Sequence, residues 1–139
     1  MCLITRQKES KILKKDLTVF KFVKEFENNS CMSHVGSYGF IYRKDILNKT
    51  TMKRSIDFSP FDDVVERNYP CCPEYNDDLI SIGEGFHSSL RKSRLSDILE
   101  SYFLKPGTII AEFVIPKGSE VYEDATGLIV SNQIIFKKI

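Results

Sequence analysis

The chain has no tryptophan and no excess of either charge: Lys and Arg total 20 against 19 Asp and Glu in 139 residues. So even a balance excludes a histone-like coat and a polybasic membrane binder, which need surplus cations to meet phosphate. No apolar run approaches the ~18 residues that a bilayer-spanning helix requires. There is no internal repeat, no low-complexity tract and no heptad pattern, which excludes solenoids, collagens and coiled coils. Glycine (7) and proline (5) are sparse, so each marks a turn or the end of an element. What remains, 42% hydrophobic and 28% charged residues, is the mixture of one folded globular domain.

The opening Met1-Cys2-Leu3-Ile4-Thr5 is too short an apolar stretch for a signal peptide, and polar, basic residues follow from Arg6 to Lys15. The expectation is a cytoplasmic chain, with 1–15 a basic arm or edge segment and 16–139 a single domain. In that compartment Cys2, Cys31, Cys71 and Cys72 are reduced thiols. Cys31-Met32-Ser33-His34 has the C-x2-H spacing of a zinc site that Cys71-Cys72 would complete. Adjacent cysteines diverge, and Pro70 and Pro73 stiffen the pair, so the reading is structural thiols, with no metal and no cofactor.

Leu17 to Phe26, dense in Val and Phe without helical spacing, reads as a strand buried on both faces, broken at Asn28-Asn29-Ser30. Tyr38 to Tyr42 reads as a second strand and Asn48 to Arg54 as loop. Ser59-Pro60 opens a short helix with Phe61, Val64 and Val65 on one face, ended by Tyr69-Pro70. Leu79 to Ile82 is a short strand. Leu95, Ile98, Leu99, Tyr102 and Phe103 form the apolar stripe of a second helix, stopped by Pro106-Gly107. In Thr108 to Ile115, Ile109, Ala111, Phe113 and Ile115 alternate with Ile110, Glu112 and Val114, the plainest strand of the chain. Pro116-Lys117-Gly118 is a turn and Val121-Tyr122 a strand piece. Leu128 to Val130 and Gln133 to Lys137 form a hairpin about Ser131-Asn132. The sum is an α+β domain, mostly antiparallel sheet with two short helices in the middle of the chain.

The polar corner is Gly83-Glu84-Gly85-Phe86-His87-Ser88-Ser89, placed between a strand and a helix. Free N–H groups at the helix start would hold an anion, with Arg91, Lys92 and Arg94 just beyond. It fails as a dinucleotide fingerprint, because the third glycine and the βαβ unit are missing. The expected ligand site is Gly85, Phe86, His87, Ser88, Arg91 and Arg94, with Phe86 stacking on a base. The bland alternative is a turn and cap, with the imidazole hydrogen-bonded locally and the cations solvated. Glu112 shares a face with apolar Ile110 and Val114, so it either faces water or lies in a lined cleft where burial would raise its pKa. No Ser-His-Asp order supports a hydrolase. Lys8, Lys11, Lys14 and Lys15 lack interleaved aromatics, so nucleic-acid binding is not expected.

Met1-Cys2-Leu3-Ile4, Lys11-Ile12 with Asp16-Leu17-Thr18-Val19, Gly85-Phe86-His87-Ser88 and Val114-Ile115-Pro116-Lys117-Gly118-Ser119 with Tyr122 together resemble a family of small proteins encoded by phages and prophages of gut Bacteroides-like bacteria. The resemblance implies a phage accessory protein in the host bacterial cytoplasm. Counter-defence factors of this kind bind host proteins or sequester nucleotide signals. A fainter likeness is to ADP-ribosyltransferase-like domains, through Tyr42-Arg43, Ser88-Ser89 and Glu112-Phe113-Val114-Ile115-Pro116 in that order. It implies Arg43 on NAD phosphate, Ser88 as a positioning group and Glu112 against an oxocarbenium-like transition state. Ile110 departs from the Glu or Gln of the arginine-modifying members, and the serine segment is incomplete. The readings carried forward are a non-catalytic module for an anionic nucleotide-like ligand or a host protein, an NAD-using enzyme, and a virion-associated structural protein.

Overall fold

The computed structural model describes residues 3–5, 7, 9–27, 29–33, 40–55, 80–101 and 107–139. Among them lie thirteen strands and one helix: β1 (Leu3–Thr5), β2 (Lys11–Ile12), β3 (Leu17–Glu25), β4 (Ser30–Ser33), β5 (Ile41–Arg43), β6 (Leu47–Lys49), β7 (Arg54–Ser55), β8 (Ile80–Ile82), β9 (Phe86–Ser89), α1 (Lys92–Ser101), β10 (Thr108–Ile115), β11 (Glu120–Glu123), β12 (Leu128–Ser131) and β13 (Gln133–Lys138). All the strand ladders are antiparallel, with one isolated parallel bridge, Lys44 to Phe136. Among the described residues the fold is mainly antiparallel β with one helix. The helix expected from Ser59 lies outside the described residues, as do Tyr102 and Phe103 of the second stripe.

A large sheet runs β2-β11-β12-β9-β3-β10-β13-β6, with β4 joined to β3 and β5 to β4; a three-stranded sheet runs β1-β8-β7. The central pair is β3 with β10, in register from Thr108–Lys24 to Ile115–Leu17. These are the two longest β-branched and aromatic stretches, and each buries side chains on alternate positions. The register puts Leu17, Val19, Lys21 and Val23 on one face with Ile109, Ala111, Phe113 and Ile115. That inner face carries the main core: Val19, Val23, Cys31, Tyr42, Phe86, Ala111, Phe113, Ile115, Val121, Ile129, Ile134 and Phe136 are all buried. The outer face of β9, β11 and β12 meets the small sheet through a second cluster of Leu3, Ile80, Ile82, Tyr122 and Val130.

The expected hairpin of β12 and β13 is overturned. β12 pairs with β11 and β9, whereas β13 pairs with β10 and β6. In a flat sheet β12 and β13 would lie four strand spacings apart, about 19 Å. Asn132 alone joins them, and Ser131 to Gln133 spans at most about 7 Å of chain. The large sheet must therefore coil on itself with the main core inside. Asn132 ties the crossing: its N–H donates to Glu120 O, its Oδ1 accepts from Glu120 N, and its carbonyl accepts from Thr50 N. The true hairpin joins β11 to β12, where Asp124 Oδ1 accepts from the N–H groups of Thr126 and Leu128 and from the Thr126 hydroxyl.

Other boundaries moved. The stretch read as loop from Asn48 holds part of β6 and β7, and β4 begins at Ser30 directly after the expected break, because Asn29 takes a left-handed φ of 60° that reverses the chain. Of the strand expected at 38–42, only its end lies in the described residues, within β5. The turn after β10 is as expected: Ser119 N and Oγ both donate to Pro116 O, and Gly118 takes φ +88°. The N-terminal segment supplies an edge strand to each sheet, with Leu3 and Thr5 buried. Among the described residues no helix is long and apolar enough to cross a membrane.

Candidate functional site

The corner expected to bind a ligand is not assembled as one surface. Phe86 to Ser89 is a strand, β9, not a loop before a helix. Period two then separates its side chains. Phe20 faces Ser89 across the β3–β9 pair, so His87 and Ser89 lie on the outer face and Phe86 and Ser88 on the inner one. Two of the N–H groups between Ser88 and the helix are engaged. Leu90 N donates to Gly127 O at 2.8 Å, and Arg91 N to Ser89 Oγ at 3.2 Å, while that hydroxyl donates back to Arg91 O. Arg94 Nη1 donates to Thr126 O at 3.2 Å, and the Arg91 stem covers Gly127. Both guanidinium side chains thus brace the β11–β12 turn. Phe86 is buried against Tyr42, at 6.2 Å between ring centroids, and cannot stack on a base in solvent.

His87 sits on the outer face beside Val130. Its Nδ1 is 3.2 Å from Gly85 O, two residues back in its own chain. Its Nε2 is buried with no hydrogen-bond partner. Burial, with the Lys21 ammonium nearby, pulls its pKa below the ordinary histidine value and keeps the ring neutral. Gly85 holds φ +122°, and a side chain there would meet Val130 Cγ1 at 2.5 Å. This glycine serves close packing under the small sheet.

The set expected from the transferase likeness is dispersed as well. Arg43 is exposed on β5 opposite Ser30. Glu112 is half-buried opposite Phe20, hence on the outer face, while Ser88 is buried on the inner one. Side chains on opposite faces of the sheet, Glu112 on β10 and Ser88 on β9, cannot both be directed at one ligand atom. Of the zinc reading, His34, Cys71 and Cys72 lie outside the described residues. Cys31 is buried opposite Tyr42, and burial pushes its thiol up to about 12, so it stays protonated.

No protein-family model, curated protein or solved structure matches the chain.

The inner face carries a different juxtaposition. One edge of β3 is shared by two strands: β9 pairs with it at Phe20, and β4 at Val23 to Glu25. The sheet forks between these, at Lys21. Lys21 and Ser88 are the next residues past the last paired positions, Phe20 and Ser89, and both lie on the inner face. On its other side Lys21 faces Ala111, which is fully buried. Lys21 Nζ donates to the His87 carbonyl and lies 5.9 Å from the centre of the Tyr42 ring. The residue is partly exposed, but burial around its ammonium lowers its pKa to about 8. Ser88 Oγ is buried with no hydrogen-bond partner. Phe40, 43% exposed, stacks at 4.8 Å on Tyr42 and reaches Phe86 at 6.2 Å, giving the fork an aromatic wall.

Lys21 was overlooked although its signal was in view. A cation in Val19-Phe20-Lys21-Phe22-Val23 breaks an apolar strand as Glu112 breaks its own. A charge in a strand expected to be buried on both faces has no water to face, so Lys21 stands out more than Glu112 does.

Proposed function

We propose that the chain is a non-catalytic binding module that captures an anionic, nucleotide-like ligand at the β3–β9 fork, as a phage accessory protein acting in the host bacterial cytoplasm. One observation carries the reading: a buried hydroxyl without a partner, Ser88 Oγ, stands one register step from a desolvated ammonium without a carboxylate partner among the described residues. An unmet hydroxyl costs about 1–3 kcal/mol where it sits, and an anion that accepts from both groups would recover that. Phe40, half-exposed beside the buried Tyr42, offers an aromatic ring to a base. Arg91 and Arg94, occupied at the turn, are replaced as ligand groups by Lys21. The imidazole of His87 and the carboxylate of Glu112 both project from the opposite face, which supports capture over turnover.

Titration calorimetry and thermal shift across mono-, di- and cyclic nucleotides test the reading. The expected result is heat and a raised midpoint with the wild type, both absent in Lys21→Met. Silence across the whole panel overturns it and leaves host-protein capture, scored by co-purification from host cells. Release of nicotinamide from NAD that depends on Glu112 would instead favour the transferase.

A further inference from the structure

Strands β8 and β9 are consecutive in the chain but belong to different sheets, and Gly83-Glu84-Gly85 alone joins them. Glycines flank this link, and Gly85 holds φ +122°, which gives it the freedom of a hinge. Among the described residues no ladder joins the two sheets. The small sheet is held instead by apolar packing, Leu3, Ile80 and Ile82 against Tyr122 and Val130, and by Thr5 and Gln7, whose side chains bond the β11 backbone. The main core lies on the other face of the large sheet, so the small sheet can leave without opening it.

His87 belongs to the floor on which the small sheet sits. Tyr122, Val130 and His87 form one cross-strand row over β11, β12 and β9. The ring's Nε2 is buried and unpaired, its Nδ1 is on Gly85 O within the hinge, and the Ile82 carbonyl of β8 lies near it. Nothing described beside the ring offers it a negative charge. Tyr122 is the one titratable group of the apolar cluster; Lys21 from β3 and the amino-terminal charge both act on the ring as cations. Glu84 in the hinge and Lys53 before β7 are exposed, and Glu123 projects from the opposite face of β11.

We propose that the small sheet is an acid-released flap: protonation of His87 frees β1, β7 and β8 from the outer face of β11 and β12 about the Gly83–Gly85 hinge, while the main core stays closed. The added proton creates a donor at Nε2 where no acceptor lies within hydrogen-bond distance, in an apolar interface without a counter-charge. In the released form water satisfies both ring nitrogens. Burial and the Lys21 charge hold the docked ring's pKa below its ordinary 6.5, outweighing the Gly85 and Ile82 carbonyls, which favour the charged ring. The released ring therefore takes the proton first. Docking is fully favoured above pH 6.5 and shifts toward release by up to about tenfold for each pH unit below it. Release bares Tyr122 and Val130, both buried in the docked form.

The test is a series of proton–nitrogen NMR spectra of the full chain from about pH 7.5 to about pH 5, with the His87 ring titration read in the same samples. The expected result is that the amide signals of Leu3, Ile80, Ile82 and Val130 move together, with a midpoint below 6.5 that matches the ring, while those of Val19, Val23 and Phe113 hold their places. His87→Phe and His87→Gln, neither of which takes the proton, keep the small sheet docked across the range, and either variant suffices if the other does not fold. Glu84→Gln leaves the midpoint where it was. Small-sheet signals that stay fixed in the wild type, both sheets lost in one step, or a transition that survives in the His87 variants overturns the proposal.

Discussion

The two sides of β9 differ in how they treat an unmet polar atom. His87 and Ser88 are neighbours in sequence, and each ends with one buried atom that nothing satisfies. On the outer side the imidazole lies beside an apolar cluster under the small sheet, with its other nitrogen on Gly85 O. There the missing partner is a liability, tolerated because the ring stays neutral. On the inner side the hydroxyl faces an ammonium at a fork in the sheet. There the missing partner sits near a cation that no described carboxylate neutralises. The same defect reads as packing on one side and as a site on the other, and the neighbouring charge decides which.

The largest expected effect breaks the outer side. Gly85→Val places a branched side chain into Val130 at a φ of +122°, and should cost about 3 kcal/mol of stability in urea unfolding. Next comes Lys21→Met, which should abolish nucleotide binding while leaving a folded protein, read by calorimetry and circular dichroism. Ser88→Ala should lower that affinity about tenfold and leave stability unchanged or raised, since it removes the orphan itself. A wild-type affinity in Ser88→Ala would erase the contrast between the two sides.

Two pH windows sharpen it further. Lys21 is lowered to about 8, so between pH 8 and its ordinary value the unfolded chain holds the extra proton, and stability rises with pH. Cys31 and Tyr42 are raised, so above about 9 the unfolded chain loses protons the native one keeps, and stability turns down. The net gain is confined to about pH 8–9, roughly 1 kcal/mol of unfolding free energy from urea titration, and should vanish in Lys21→Met. His87 is lowered, so as pH falls below its ordinary 6.5 the unfolded chain takes up the proton first and stability is lost. His87→Phe should flatten that acid limb. The smallest effect is on Glu112→Gln, which should leave ligand binding as it was, because this carboxylate faces away from Ser88.

Much of the local structure was legible. The alternation in Thr108 to Ile115 named the strand and its two faces, and the leucine and isoleucine spacing from Leu95 named the helix, where Leu95 is indeed buried. Less of the site was. Phe86 to Ser89 looked like a loop because two glycines precede it and polar residues fill it, yet ladder pairing with β12 overrode that local preference. Arg91 and Arg94 looked free because sequence spacing does not show that the β11–β12 turn lies beside them.

Sequence alone determined that adjacent positions on a strand must part to opposite faces, that Lys21 interrupts an apolar run, and that Gly118 can turn the chain, since these depend on backbone period and on single side chains. Only the tertiary structure decided that β12 and β13, one residue apart, belong to different neighbours, that the coiled sheet turns Ser88 inward, and that the fork sets it against Lys21. Strand pairing is a choice among distant partners, made by burial and hydrogen bonding over the whole sheet, and no short window of residues contains it.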